Sequence, residues 1–247
     1  MYNGDGAIIA SEKGRVNGVS GSRTFVPLLL TDFTFDTYGR LTKQKVIDAN
    51  SASISLVQTS YDVNSRPQCT ALRMSSGTYS SLPSSACTQS SYGYDRITKT
   101  VYDNYGRPYQ TKSGFGTSDI ITETRQYSTN GKVTKVIDGN GNPTAYYYDD
   151  LDRLWLTQFS KEDGSNVDGN NFERINYKVE NGLSTYLPTA KRLRDGQWIN
   201  YSYDGLSRVT LVDAPGTAND VSSTYNAFGD IETVTAYGQT LTRSWDA

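Results

Sequence analysis

With 247 residues, 24 Lys+Arg against 26 Asp+Glu and a formal charge of −2, the chain has no positive excess to neutralise a phosphate backbone, which argues against nucleic acid as a partner. Its longest apolar run, Val26 to Leu30, falls far short of the roughly 20 residues that span a bilayer, so no membrane span is expected. The sequence contains no His, which removes Ser-His-Asp and Cys-His triads, His-ligated zinc and the usual near-neutral general base.

From the N-terminus, Met1 to Gly6 has neither a basic nor an apolar region of the kind that makes a signal peptide. Residues 1–30 carry no clear motif and are expected to supply further repeat strands. From residue 31 a pattern of aromatic-Asp-x-x-x-Arg recurs. Its copies are Phe35-Asp36-Thr37-Tyr38-Gly39-Arg40, Tyr61-Asp62-Val63-Asn64-Ser65-Arg66, Tyr102-Asp103-Asn104-Tyr105-Gly106-Arg107, Tyr148-Asp149-Asp150-Leu151-Asp152-Arg153 and Tyr203-Asp204-Gly205-Leu206-Ser207-Arg208. The composition alone would supply about 0.1 copies by chance, so the repeat is real. Weaker copies begin at Tyr127, Tyr177 and Tyr225, and the chain stops inside another at Trp245-Asp246-Ala247. Residues 31–247 are therefore expected to form one array, a fragment of a longer one, with an insertion at about 67–92 that projects from the sheet as an irregular excursion.

Each unit reads as a hairpin. Asp can bond back to the backbone two residues on, and Gly39, Gly106, Gly131 and Gly229 suit the left-handed position before the chain returns. Ser65 and Ser207 tolerate that conformation poorly, which predicts a different turn at those two units. The flanking strands alternate: Ile199, Tyr201 and Tyr203 share one face, Asn200 and Ser202 the other, and Thr144, Tyr146 and Tyr148 oppose Ala145 and Tyr147. Opposite turns are signalled by Asp138-Gly139-Asn140-Gly141-Asn142 and Arg194-Asp195-Gly196-Gln197. Gly, Asn, Thr, Ser and Pro interrupt every stretch long enough for a helix. The expected fold is all-β, an antiparallel sheet grown hairpin by hairpin.

These units, together with Val136 to Thr144 followed by Tyr146-Tyr147-Tyr148-Asp149, and Val209 to Gly216 following Tyr203-Asp204, resemble the Rhs, or YD-repeat, family of bacterial polymorphic toxins, related to the shells of Tc toxins and teneurins. The resemblance covers about residues 31–247. It implies a curved sheet that spirals into a hollow shell, a non-catalytic scaffold enclosing a toxin polypeptide encoded downstream in the same full-length chain. A secreted or cell-surface location in bacteria follows from the same resemblance. The family's self-cleaving, Asp-bearing segment and its variable toxin follow the last repeats, and no residue here matches that cleavage site. The residues that carry over are structural: the aromatic, Asp, Gly and Arg of each unit.

Other features carry weaker chemistry. Cys69 and Cys87 lie in the insertion with Pro67 and Pro83; a disulfide would staple it, and two free thiols are the alternative. Asp138 to Asn142 lacks the terminal Glu of a calcium loop and reads as a turn, and Gly114-Phe115-Gly116 lacks the third glycine of a nucleotide fingerprint. Lys191-Arg192-Leu193-Arg194 reads as the solvated face of a strand. The neighbouring carboxylates Asp149 and Asp150, or Glu162 and Asp163, point to opposite sides of a strand and cannot converge as a glycosidase pair. No catalytic centre, cofactor or metal is expected. Aromatic rows beside Asp and Asn also suit sugar faces, so a module binding cell-surface carbohydrate is the alternative. The two readings differ in where the repeat Tyr point: mostly to the concave, cargo-facing or buried side in a shell, several of them into an exposed convex groove in a sugar-binding module.

Overall fold

The computed structural model describes residues 1–247 except 3, 5, 18–23, 92–93, 217–218 and 244–247. The fragment of a repeat expected at Trp245 to Ala247 lies outside the described residues. Among the described residues the fold is all-β, with 18 strands and no α-helix; one short 3-10 turn spans Ser76–Thr78. The chain divides into two compact units, Met1–Arg125 and Gln126–Ala247.

The first unit holds β1 (Ala10–Asn17), β2 (Thr24–Phe35), β3 (Leu41–Asp48), β4 (Ser53–Tyr61), β5 (Pro67–Arg73), β6 (Arg96–Tyr102), β7 (Pro108–Ser113) and most of β8 (Ile121–Tyr127). Each pairs antiparallel with the next. The second holds β9 (Val133–Ile137), β10 (Pro143–Tyr148), β11 (Leu154–Ser160), β12 (Val167–Glu180), β13 (Leu183–Arg192), β14 (Trp198–Tyr203), β15 (Val209–Asp213), β16 (Val221–Tyr225), β17 (Ile231–Ala236) and β18 (Gln239–Thr242), again paired in succession. A boundary at residue 30 does not exist structurally, because β2 runs through it: the first Asp-Arg turn simply follows an ordinary strand.

The repeat sets the register. In six hairpins the ladder slips by one residue immediately before the repeat aromatic, so that Phe35 pairs with Leu41, Tyr61 with Pro67, Tyr102 with Pro108, Tyr148 with Leu154, Tyr203 with Val209 and Tyr225 with Ile231. The cause is local. In the first turn the Gly39 N–H donates to the Asp36 carbonyl at 3.0 Å and the Asp36 N–H to the Arg40 carbonyl at 3.0 Å, a type I turn closed by a left-handed residue that forms a bulge. Gly39 takes that position at φ 75°. Ser65 and Ser207 take it too, at φ 62° and 64°, so the different turn expected of them does not occur. At Ser65 the hydroxyl accepts a 2.9 Å bond from Arg40 Nη1, an interaction Gly could not make.

Between β5 and β6 the chain leaves the ladder, but not over 67–92 and not outward. Residues 67–73 are β5 itself, and the irregular stretch that follows, described over 74–91 and 94–95, folds back onto the sheet. Two features hold it there. Cys69 in β5 is disulfide-bonded to Cys87, with Cα atoms 5.2 Å apart, and both pack with Ala71, Ala86, Ile97 and Phe115 in the main buried apolar cluster. Beside it the side chains of Arg73 and Asp95 are fully buried and paired at 2.7 Å. Arg73 further donates to Gln58 Oε1 at 2.7 Å and to the carbonyls of Thr88 at 2.7 Å and Ser85 at 3.2 Å. A buried guanidinium demands acceptors for all its N–H groups, and the excursion's own backbone supplies them. Elsewhere the strands are half-exposed on alternating faces, as in β14, where Ile199, Tyr201 and Tyr203 are partly buried and Asn200 and Ser202 exposed.

Candidate functional site: the Asp-Arg-Tyr lock

Each turn Asp is fully used within its own turn. Asp36 Oδ1 accepts the N–H groups of Tyr38 at 2.9 Å and Arg40 at 3.0 Å, while Oδ2 accepts Arg40 Nε at 2.7 Å. The same three bonds recur at Asp62, Asp103, Asp149 and Asp204 with Arg66, Arg107, Arg153 and Arg208. Asp138, on the opposite rim of its hairpin, makes the equivalent bonds to Asn140 and Asn142, which accounts for the calcium-like spelling as a turn. The Asp thus shapes the turn and orients the Arg.

The oriented Arg then reaches forward to the next unit. Arg40 lies 4.5 Å from the ring centroid of Tyr61, Arg66 4.3 Å from Tyr102, Arg153 4.0 Å from Tyr177 and Arg208 4.4 Å from Tyr225. The same Tyr hydroxyl donates back to the carbonyl of the residue following that Arg: Tyr61 to Leu41 at 2.8 Å, Tyr102 to Pro67 at 2.7 Å, Tyr177 to Leu154 at 2.9 Å and Tyr225 to Val209 at 2.7 Å. The ring is held on its face by a cation and at its tip by a backbone oxygen. At Gly106 a Cβ would come within 3.3 Å of Arg66 Nη1, so this glycine serves both the turn, at φ 82°, and the passage of the preceding Arg.

Degenerate units keep the device with other chemistry. Ser128 replaces Asp and its hydroxyl accepts the Lys132 N–H at 3.0 Å; Lys132 lies 5.6 Å from the Tyr148 ring, whose hydroxyl donates to Val133 at 3.0 Å. Tyr203 lacks a preceding Arg and keeps only its bond to the Pro188 carbonyl, at 2.7 Å. The basic run at residues 191–194 is not merely a solvated face: Arg192 lies 3.9 Å from the Phe172 ring, Arg194 4.5 Å from Phe159, and Lys191 pairs with Glu173 at 3.4 Å. What sequence reasoning missed is the direction of the contact. It paired Asp with Arg across one turn, whereas the Arg also serves the next Tyr, and the only sequence signal is that each Arg is followed, one unit on, by a repeat Tyr.

Shallow clefts open beside the locks. One of about 440 Å³ is lined by Lys132, Thr134, Tyr146, Tyr148, Asp149 and Trp155, and one of about 420 Å³ by Asp62, Arg66, Lys99, Tyr102, Tyr109 and Lys112. Of the carboxylates that line them, Asp62 and Asp149 are engaged by Arg, and Asp152 accepts from Asn130 Nδ2 at 2.7 Å. Among the described residues no group of three or more Cys, Asp or Glu side chains is placed to hold a metal ion.

The lock predicts an acid response. The Arg40 side chain holds the Asp36 carboxyl below the usual carboxylate range, as the Arg153 side chain does for Asp149; the backbone N–H groups of Arg66 and Arg208 do so first at Asp62 and Asp204. At Asp103 partial desolvation opposes the shift and the hydrogen bonds from Arg107 outweigh it. A carboxyl whose folded pKa lies below its unfolded value stabilises fully above about pH 4 and loses that contribution as pH falls through the folded value. The thermal midpoint is therefore expected to be flat from pH 7 to about 5 and to fall steeply below 4. A midpoint unchanged between pH 5 and 3 would contradict this account. In a second test, Tyr225→Phe removes only the hydroxyl bond to Val209, and a loss of about 1 kcal/mol is expected in urea denaturation with the slope unchanged.

Hairpins that share one turn chemistry and are bolted each to the next define a class, the YD-repeat sheet. Residues 127–165 match the RHS Repeat family, a segment containing the Tyr148 to Arg153 unit, and the same unit recurs on either side of it. No curated protein matches the chain. Solved structures similar to it include the crystal structure of TcdB2-TccC3, with TM-score 0.40, 12% identity and coverage of 99% of this chain and 16% of that one. TcdB2-TccC3 without its hypervariable C-terminal region gives 0.40, 14%, 94% and 15%. The Photorhabdus luminescens Tc holotoxin pore with a mutated TccC3 gives 0.32, 13%, 94% and 16%. The chain spans about a sixth of the length of these structures.

Proposed function

We propose that this chain is a non-catalytic wall segment of an Rhs-type shell that encloses a toxin polypeptide encoded downstream in the same longer protein. The observation that carries the reading is the forward lock. A wall must transmit strain from hairpin to hairpin without a thick core, and Arg stacked on the next Tyr, with the Tyr hydroxyl bonded back, does so in successive units. The alternative, a carbohydrate-binding module, needs ring faces free for sugar, and these repeat Tyr have an Arg on one face and a committed hydroxyl. A secreted or surface location agrees with the Cys69–Cys87 bond, which persists in oxidising compartments. Among the described residues no helix is long and apolar enough to cross a membrane.

The test is protease protection in the full-length protein. The polypeptide downstream of the repeats is expected to resist trypsin while the shell is folded and to become sensitive in mild denaturant, at lower denaturant when Arg66 and Arg153 are changed to Ala. Digestion of that polypeptide in the folded protein as fast as when it is free overturns the reading; so does tight, saturable glycan binding abolished by Tyr102→Ala.

A further inference from the structure

The pairs Asn130-Gly131, Asn140-Gly141 and Asn181-Gly182 lie wholly within the described residues, and all three sit in exposed turns. An Asn followed by Gly is open to loss of its side-chain amide, because a residue without Cβ leaves its own nitrogen unhindered beside the Asn side-chain carbon. Whether that nitrogen is available depends on the turn.

In two of the pairs it is occupied. The Gly131 N–H donates to the Ser128 carbonyl at 3.1 Å and the Gly141 N–H to the Asp138 carbonyl at 3.0 Å. The Asn is fastened as well: the Asn140 N–H donates to Asp138 Oδ1 at 2.9 Å, and the Asn130 side-chain amide donates to Asp152 Oδ1 at 2.7 Å. Asn181-Gly182 is built otherwise. It is the two-residue turn of the β12–β13 hairpin, with Glu180 paired to Leu183 and both turn residues left-handed, at φ 51° and 78°, the type I′ geometry. Such a turn is closed by a bond from its fourth residue to its first, so the N–H of its third residue stays outside. Among the described residues neither the Gly182 N–H nor the Asn181 side chain has a hydrogen-bond partner.

The tip that carries them is loosely tied. Val179, Glu180, Leu183 and Ser184 are exposed, and the ladder shifts register on both sides of Tyr177. Exposed hairpin ends with few contacts open at low cost, which lets Asn181 leave the left-handed region and bring its side-chain carbon to the glycine nitrogen. Inward of the tip the hairpin is fixed: Arg153 Nη2 donates to Ser184 Oγ at 2.7 Å, and the same guanidinium lies 4.0 Å from the Tyr177 ring.

We propose that this turn geometry makes Asn181 a site of spontaneous modification, an amide exchanged for a carboxylate with water as the co-reactant. The Gly182 nitrogen gives up its proton and bonds to the Asn181 side-chain carbon, the bond from that carbon to Nδ2 breaks, and ammonia leaves. Water then opens the succinimide at either carbonyl, yielding Asp or, with the side-chain methylene moved into the main chain, isoaspartate. Each product adds a negative charge to the tip, and the lengthened main chain of isoaspartate no longer fits a two-residue turn. The Arg153 contacts confine the opening to the tip, so the sheet survives. The inference goes beyond the shell reading and does not depend on it.

The experiment is peptide mapping by mass spectrometry on the full chain held at mildly alkaline pH, with isoaspartate detected by methyltransferase labelling. In the folded chain Asn181 is expected to lose its amide about tenfold faster than Asn140 or Asn130, the factor that a hydrogen bond of ordinary net strength contributes to a rate. In urea, where no turn survives, the three rates should converge. The circular dichroism spectrum should stay constant while Asn181 is converted, and Asp138→Ala, which unfastens Asn140, should speed Asn140 and leave Asn181 unchanged. Equal rates at Asn181 and Asn140 in the folded chain overturn the proposal. A difference that persists undiminished in urea also overturns it, because the neighbouring sequence and not the turn would then set the rate.

Discussion

Replacing Asp95 by Ala is expected to destabilise the protein by about 3–5 kcal/mol, the largest loss from any single substitution considered. The reason is the partner left behind. Arg73 has no exposed side-chain surface and pairs with Asp95 at 2.7 Å, so removing the carboxylate strands a guanidinium where water does not reach. Asp95 also accepts the N–H groups of Met74 and Ser90, both at 2.9 Å, and those donors would lose their acceptor as well. Desolvation pushes the Asp95 carboxyl toward protonation, and the Met74 N–H, Arg73 and Ser90 outweigh it, so the group sits below the usual range and is charged at neutral pH. Urea denaturation checks the magnitude, with the transition shifting at constant slope. Exchanging the pair for apolar residues, Arg73→Met with Asp95→Leu, should recover much of the loss, because neither charge then remains. A loss below about 1 kcal/mol for Asp95→Ala would mean that water enters the site.

Opening the Cys69–Cys87 bond, by reduction or by Cys69→Ala with Cys87→Ala, should cost about 3 kcal/mol, the chain-entropy value for a closed loop of this size. Limited proteolysis localises the effect: new cleavage is expected within 74–95 and not in the hairpins of the second unit. The disulfide and the buried pair hold the same excursion, so their losses should not add. Once either is gone the other has less to hold, and a cycle of Asp95→Ala with the cysteine variant should give a combined loss smaller than the sum by 0.5 kcal/mol or more, in the range typical of coupled sites. Strict additivity would show that the two act on separate structures.

The hairpin was legible in the sequence because its causes are local. The Asp side chain bonds to N–H groups two and four residues on, and the left-handed position follows directly, so Phe35 to Arg40 contains everything its turn needs. Repetition of that local solution implied the meander, the alternation of β14 and the absence of long helices. The excursion was legible only as an interruption. Nothing in the spelling of β5 marks Arg73 as buried, since an Arg in a half-exposed strand ordinarily faces water, and its acceptors on Gln58, Ser85, Thr88 and Asp95 lie 12 to 22 residues away.

The sequence by itself determined the turn and the strand order, both consequences of bonds within about six residues and of their recurrence. The tertiary structure alone decided three things. It decided that Arg40, Arg66, Arg153 and Arg208 each serve two units, because the Tyr each covers becomes its neighbour only when successive hairpins are in register. It decided that Ser65 can take a left-handed conformation like Gly39, because Arg40 arrives from the preceding unit to bond its hydroxyl. And it decided that residues 74–91 lie on the sheet instead of projecting from it, because a buried cation draws the nearest carbonyls to itself whatever the local chain would otherwise prefer.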